Sequence, residues 1–184
     1  MRNVKSWALA PVMTLCLAAC SGGEADNSGK AGAAPAASSK TLAAAIGDQG
    51  DLDTLEAVIT NAGLSDVLEG KGPYTIFAPA NAALGASGAD LSVEAMKAQS
   101  AALLRAHIVP GAITRTDIIA AIERGGGGGI QMRTMADGLL TFSKDGEVVV
   151  VTGSDGAVAR LTGQETVASN GVVQPVDGVL VKAG

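Results

Sequence analysis

Apolar positions along this chain change period three times. Residues 41–69 carry them at helical spacing: Leu42, Ala45 and Ile46 share one face, and Leu52, Leu55, Val58 and Ile59 form a second stripe three and four residues apart. Asp51 or Asp53 suits the start of that second helix, Asn61 or Gly63 its end, and Ser65 the cap of a short third helix carrying Val67 and Leu68. Residues 74–78 alternate as a strand that Pro79 stops, and Asn81 is a cap for the helical turn that follows. Ser92 then caps a helix predicted over 93–106, with Met96, Leu103 and Leu104 on its buried face, and this helix runs directly into His107 and an apolar strand. Thr114 or Thr116 opens a further helix with Ile118, Ile119 and Ile122 on one side.

Beyond this point the period drops to two. Residues 130–134, 139–143, 147–152 and 158–162 read as strands, and Asp137-Gly138, Asp145-Gly146 and Asp155-Gly156 between them are turn signals at the spacing of an antiparallel meander. Asn170-Gly171 is another turn, and residues 172–181 form a β-branched run too apolar for a wet surface, so the chain closes on a core strand buried on both faces. Pro175 lacks a ladder donor and belongs at an edge or bulge, and Asp177-Gly178 marks a bend.

Before this pattern comes a stretch of another kind. Arg2 and Lys5 precede an apolar run over residues 7–19, which is too short to cross a bilayer about 30 Å thick, and Leu17-Ala18-Ala19-Cys20 ends it. The tetrapeptide looks like a bacterial lipobox, which implies cleavage after Ala19 and lipid on the Cys20 thiol. Residues 1–19 are thus expected to be a lipoprotein signal peptide. Residues 20–40, the lipidated cysteine and a Gly, Ala, Ser and Pro tether, have no large apolar side chain to offset their ordering entropy, and as a coil they reach about 25 Å. Residues 41–184 are the expected folded domain. The layout places the protein in the bacterial cell envelope, held by Cys20 and facing the periplasm or the outside; Ser21 in place of Asp points to the outer membrane.

Composition narrows the chemistry. The chain is 47% hydrophobic and 17% charged over 184 residues, enough for one core. Its formal charge is −5; without Arg2 and Lys5 it has 11 basic against 18 acidic residues, a balance that opposes nucleic acid. Removing Cys16 with the leader leaves Cys20 alone, so no internal disulfide can form. There is one histidine, His107, whose place between an amphipathic helix and an apolar strand suits a buried imidazole hydrogen-bonded to backbone or a carboxylate. No nucleophile elbow surrounds Ser87, Asp48, Asp51, Asp53 and Glu56 lack the spacing of a calcium loop, and residues 125–129 lack the lysine of a phosphate loop. Neither a catalytic group nor a metal or other cofactor is therefore expected. Tyr74, Phe77 and Phe142 are the aromatics outside the leader, too few for binding sugars by stacking.

Three segments together carry a family resemblance: residues 74–84, residues 103–111 and residues 170–180 resemble, in order and spacing, the signature segments of the fasciclin-like domain. The resemblance covers residues 41–184. It implies an α+β fold, a compact β-sandwich or wedge with several packed helices, and a non-enzymatic module for adhesion or protein interaction. Its motif positions here are Thr75, Phe77, Ala78, Pro79, Asn81, His107, Pro110, Gly111, Asn170, Gly171, Asp177 and Gly178, in structural or interaction roles. Ala80, Ala106 and Gln174 depart from the family pattern, and Glu165-Thr166 stands where some animal members carry the Asp-Ile used for integrin contact, so integrin is not an expected partner. The expected function is a lipid-anchored envelope adhesion or protein-interaction module with an unidentified envelope or extracellular protein partner. The alternative is a small-ligand-binding or hydrolytic envelope protein using a pocket between sheet and helices. Contact is expected around Asn170-Gly171, along the exposed side of residues 74–81, and through Arg105, Glu165 and Gln174 as exposed neighbours.

Overall fold

The computed structural model describes residues 37–88, 90–126 and 128–182, so the expected leader, Cys20 and nearly all of the tether lie outside the described residues. A helical layer comes first: α1 (Leu42–Gly47), a 3₁₀ turn (Gly50–Leu52), α2 (Asp53–Ala62) and α3 (Ser65–Glu69). β1 (Tyr74–Pro79), α4 (Asn81–Ala86), a second 3₁₀ turn (Glu94–Met96), α5 (Lys97–His107), β2 (Ile108–Pro110) and α6 (Arg115–Arg124) follow. The last third is extended: β3 (Ile130–Arg133), β4 (Leu139–Asp145), β5 (Val148–Thr152), β6 (Val158–Arg160), β7 (Thr166–Ala168) and β8 (Gly171–Val176).

The strands make two four-stranded sheets. The first has the order β2-β1-β8-β7, and its centre is a parallel pair running from Tyr74 opposite Gly171 to Pro79 opposite Val176. The second, β3-β4-β5-β6, is the antiparallel meander that the Asp-Gly turns announce. The two meet where β7 runs out. There the chain leaving β6 pairs with the end of β8, through a bridge between Leu161 and Val176 and bonds from Thr162 N–H to the Pro175 carbonyl and from Asp177 N–H to the Arg160 carbonyl. Pro175 thus sits inside the sheet, but on the side that β7 no longer reaches, where its carbonyl is used and no amide is asked of it. At the opposite margin the chain enters along the outer edge of β7: Ser38 N–H donates to the Val167 carbonyl and Ser169 N–H to the Lys40 carbonyl.

The first sheet has a core on each face. Ile76, Ala78, Ile108 and Val173 pack against Leu42, Leu55, Val58 and Leu104 of the helical layer. Phe77, Val109 and Val176 pack against Phe142, Val149 and Val151 of the meander and Ile118 and Ile122 of α6. The rings of Phe77 and Phe142 stand 5.1 Å apart and tilted by 46° across the sheets. Residues 75–79 are therefore buried on both faces instead of alternating in and out. The sequence period had no means of distinguishing a strand with one core from a strand with two.

Helix starts depart from local expectation in an instructive way. Thr41 accepts from Ala44 N–H at the start of α1, and Thr114 forms a capping box with Asp117 at the start of α6. α2 has no cap of its own; its Thr54 N–H donates to Asn81 Oδ1 from another element. Asn81 is thus the first residue of α4 and the cap of a different helix. Ser65 is likewise the first residue of α3 and caps nothing. Ser92 bonds Asp90, and α5 begins only at Lys97, after a turn, an extended Val93 and the 3₁₀ turn, with Asn61 holding the Leu91 and Val93 carbonyls and Ser100 the Leu91 carbonyl.

Candidate functional site

The residues of the three signature segments converge on the first sheet, where most of them act as staples between elements. Asn170 is the most connected: Oδ1 accepts from Leu42 N–H at 2.8 Å, and Nδ2 donates to the Leu68 and Gly70 carbonyls at 2.8 and 2.7 Å. One buried amide thereby closes the start of α1 and the end of α3 onto the turn before β8. A Cβ on Gly171 would collide with the Tyr74 carbonyl, so the parallel pair requires glycine at that point. Asn81 donates to the Gly50 carbonyl while accepting from Thr54, spanning the turn between α1 and α2. Thr75 donates to the Gly111 carbonyl and accepts from Ile113 N–H, which fixes the chain after Pro110. Phe77, Ala78 and Pro79 are packing positions in β1.

His107 is fully buried, and both ring nitrogens are used. Nδ1–H donates to the Leu103 carbonyl at 2.7 Å, and Nε2 accepts from Leu180 N–H at 2.9 Å. The partners assign the neutral tautomer, since a carbonyl only accepts and an amide only donates. Burial holds the imidazole down at about 4, against the smaller opposite pull of the Leu103 carbonyl. The segment it grips is stitched further along: Asp177 accepts from Arg160 N–H at 2.6 Å, and Asp155 accepts from Lys182 N–H, the bond that chiefly lowers the Asp155 carboxyl below its usual range. Gly178 lies so close to the Val158 carbonyl that a side chain there would press on it.

Another polar cluster joins α6, the β6–β7 loop and β8. Glu165 accepts from Arg115 N–H and from Gln174 Nε2, and the Arg115 guanidinium donates to the Gly163 and Thr162 carbonyls at 2.8 and 3.0 Å. Burial lowers the affinity of Arg115 for its proton, and the Glu165 charge opposes this. These contacts correct the expected contact surface. Gln174 is fully buried and Glu165 half-buried, because both are spent inside this cluster; Arg105 alone of the three is exposed. Asn170 and Gly171 are buried too, and β1 has a core on each face, so neither offers the surface expected of it. Sequence reasoning missed Arg115 altogether and read Asn61 only as the end of a helix. Nothing local marks a helix-start arginine or a helix-end asparagine as a long-range staple.

Beside the cluster lies a shallow groove of about 490 Å³ between the α1–α2 turn, the start of α4 and the β6–β7 loop. Among the described residues no three His, Cys, Asp or Glu side chains stand together as a metal site, and no helix is long and apolar enough to cross a membrane.

A mixed sheet cored on both faces, backed by helices and a meander and stapled by its own motif residues, is an α+β scaffold. The family model of the fasciclin domain matches residues 50–182, and the chain belongs to that family. It is 34% identical over 134 residues to Protein sll1483 of Synechocystis sp., an alignment covering 70% of this chain and 66% of that protein. It is 27% identical over 131 residues to the transforming growth factor-beta-induced protein ig-h3 of Sus scrofa, covering 70% of this chain and 17% of that one. The FAS1 domain pair of the insect cell adhesion molecule fasciclin I shares the fold, with a TM-score of 0.66 at 14% identity over 78% of this chain and 51% of that one. The chain thus spans less than two thirds of each of these relatives.

Proposed function

We propose that this protein is a non-catalytic adhesion or protein-interaction module of the bacterial cell envelope, held to a membrane by lipid on Cys20. The observation that carries the reading is the family membership, together with the shared fold of an insect cell adhesion molecule. The use of the polar motif residues supports it: Thr75, Asn81, His107 and Asn170 are committed to backbone partners, a pattern that suits presentation of a rigid surface more than turnover. The route of the chain fits an anchor as well, since residues 38–40 lie along the outer edge of β7 and lead into the domain from the tether side.

Two measurements test this reading. Cys20→Ser is expected to leave the protein unprocessed or soluble; fractionation and migration like wild type would remove the lipid anchor from the proposal. Deleting residues 41–184 is expected to abolish surface attachment or cell aggregation. Unchanged attachment, or a purified protein that turns over a substrate, would overturn the adhesive reading. Each contact is expected to be weak, with many copies on one surface gaining roughly 10² or more through effective concentration.

A further inference from the structure

We propose that the groove beside the β6–β7 loop binds a neutral, hydroxyl-rich glycan of a facing cell surface, an assignment that rests on the adhesive reading and gives it a ligand chemistry. The first argument is preorganisation. One wall is the turn between α1 and α2, tied by Asn81 to the Gly50 carbonyl and Thr54 N–H; the other is the β6–β7 loop, tied by Arg115, whose guanidinium donates to the Thr162 and Gly163 carbonyls and whose N–H donates to the loop's own Glu165. Both walls are thus held by side chains from other elements, so little ordering remains for a ligand to induce.

The second argument is the chemistry left free between those walls. Asp51, Thr162, Gln164 and Thr166 face the groove, and among the described residues their side chains make no hydrogen bond, which leaves a carboxylate, an amide and two hydroxyls for a ligand. Hydroxyls and amides both donate and accept, and a carboxylate accepts from two neighbouring hydroxyls at once, a set that matches a sugar edge. No lysine or arginine lines the groove, so a phosphorylated, sulfated or uronic polymer finds no countercharge there. The apolar part of the lining is small, Ala80, Ala82 and Pro175, enough for the C–H face of a sugar ring but without the deep apolar pocket that anchors a peptide side chain. Thr162 N–H is already given to the Pro175 carbonyl, which removes the main-chain donor that a peptide adding as a strand would need at that position. With no aromatic platform the affinity belongs in the millimolar range, the regime in which many anchored copies act together.

The test is a titration of the isotope-labelled full-length chain, followed by its backbone NMR resonances, with one neutral tetrasaccharide at a time: polymers of N-acetylglucosamine, glucose, mannose and galactose, with tetra-alanine as the peptide control. At least one tetrasaccharide is expected to shift Asp51, Thr162, Gln164 and Thr166 saturably, with half-saturation near ~5 mM. The double variant Thr162→Ala/Gln164→Ala is expected to weaken that binding about tenfold, with an unchanged melting temperature because both side chains are exposed. Asp51→Asn, which keeps the shape of the wall, is expected to weaken it about threefold. No shift of these residues by any of the four sugars at ~20 mM, or a shift by tetra-alanine alone, overturns the proposal. Attachment that survives the double variant but is lost on deleting residues 41–184 overturns the glycan assignment and leaves the adhesive reading standing. Attachment indifferent to the deletion removes the adhesive reading itself.

Discussion

The helical half and the meander half of this domain hold their cores by different means. In the meander, each strand meets its neighbour in the chain, and the connections are tight turns at Asp137-Gly138, Asp145-Gly146 and Asp155-Gly156. In the helical half, short helices are joined by buried or half-buried amides reaching across the chain: Asn170 to Leu42, 128 residues away, Asn61 to Leu91 and Asn81 to Gly50. Helices of five or six residues, such as α1 and α3, lie well below the length at which a helix holds itself in water, so their ends need partners from elsewhere. Local turn chemistry suffices where pairing is sequential; a buried side-chain bond is needed where it is not. The same amino-acid types therefore carry different weight in the two halves.

The sharpest way to break that contrast is at Asn170. Asn170→Ala strips partners from one buried N–H and two carbonyls at once and is expected to cost about 4 kcal/mol, read as a large fall in melting temperature. A loss below ~1 kcal/mol would mean that the helices stand without their staple.

His107, which ties the helical half to the chain end, comes next. His107→Ala leaves the buried Leu180 N–H unpaired, removes the second bond to the Leu103 carbonyl, which keeps its helical partner, and empties the buried imidazole site, and is expected to cost about 3 kcal/mol. It also sets a pH dependence. The folded imidazole is held at about 4 against an ordinary 6.5, so its contribution is fully present above 6.5. As the pH falls from 6.5 towards 4 the unfolded chain takes up a proton that the folded chain refuses, at a cost of about 1.4 kcal/mol per unit. Denaturant titrations from pH 7 to 4 should show that slope. Since His107 is the one histidine of the chain, His107→Gln should abolish it; a slope that persists would place its origin in the carboxylates.

The smallest effect is expected in the meander. Gly146, at φ +61° in the turn between β4 and β5, has open space where a Cβ would stand, so Gly146→Ala carries only the backbone penalty of about 1 kcal/mol. If that turn proved as costly as Asn170, the distinction between local and stapled halves would fail.

The chain's own pattern was enough to determine the α+β class, the helix faces of Leu55, Val58 and Ile59, the four-strand meander and the twofold-buried final strand. It was also enough for the resemblance to the fasciclin family. These features rest on interactions between residues near one another in sequence, or on runs whose hydrophobicity excludes water, and both leave a periodic trace. Only the tertiary structure decided that β1 has a core on each face, that Asn81 caps another element's helix, and that Gln174 and Glu165 face inward towards Arg115. A polar residue looks the same in sequence whether its partner is water or a carbonyl a hundred positions away. Which of the two it meets is settled by how the sheets and helices pack, and that packing also formed the groove walls from three segments far apart in the chain.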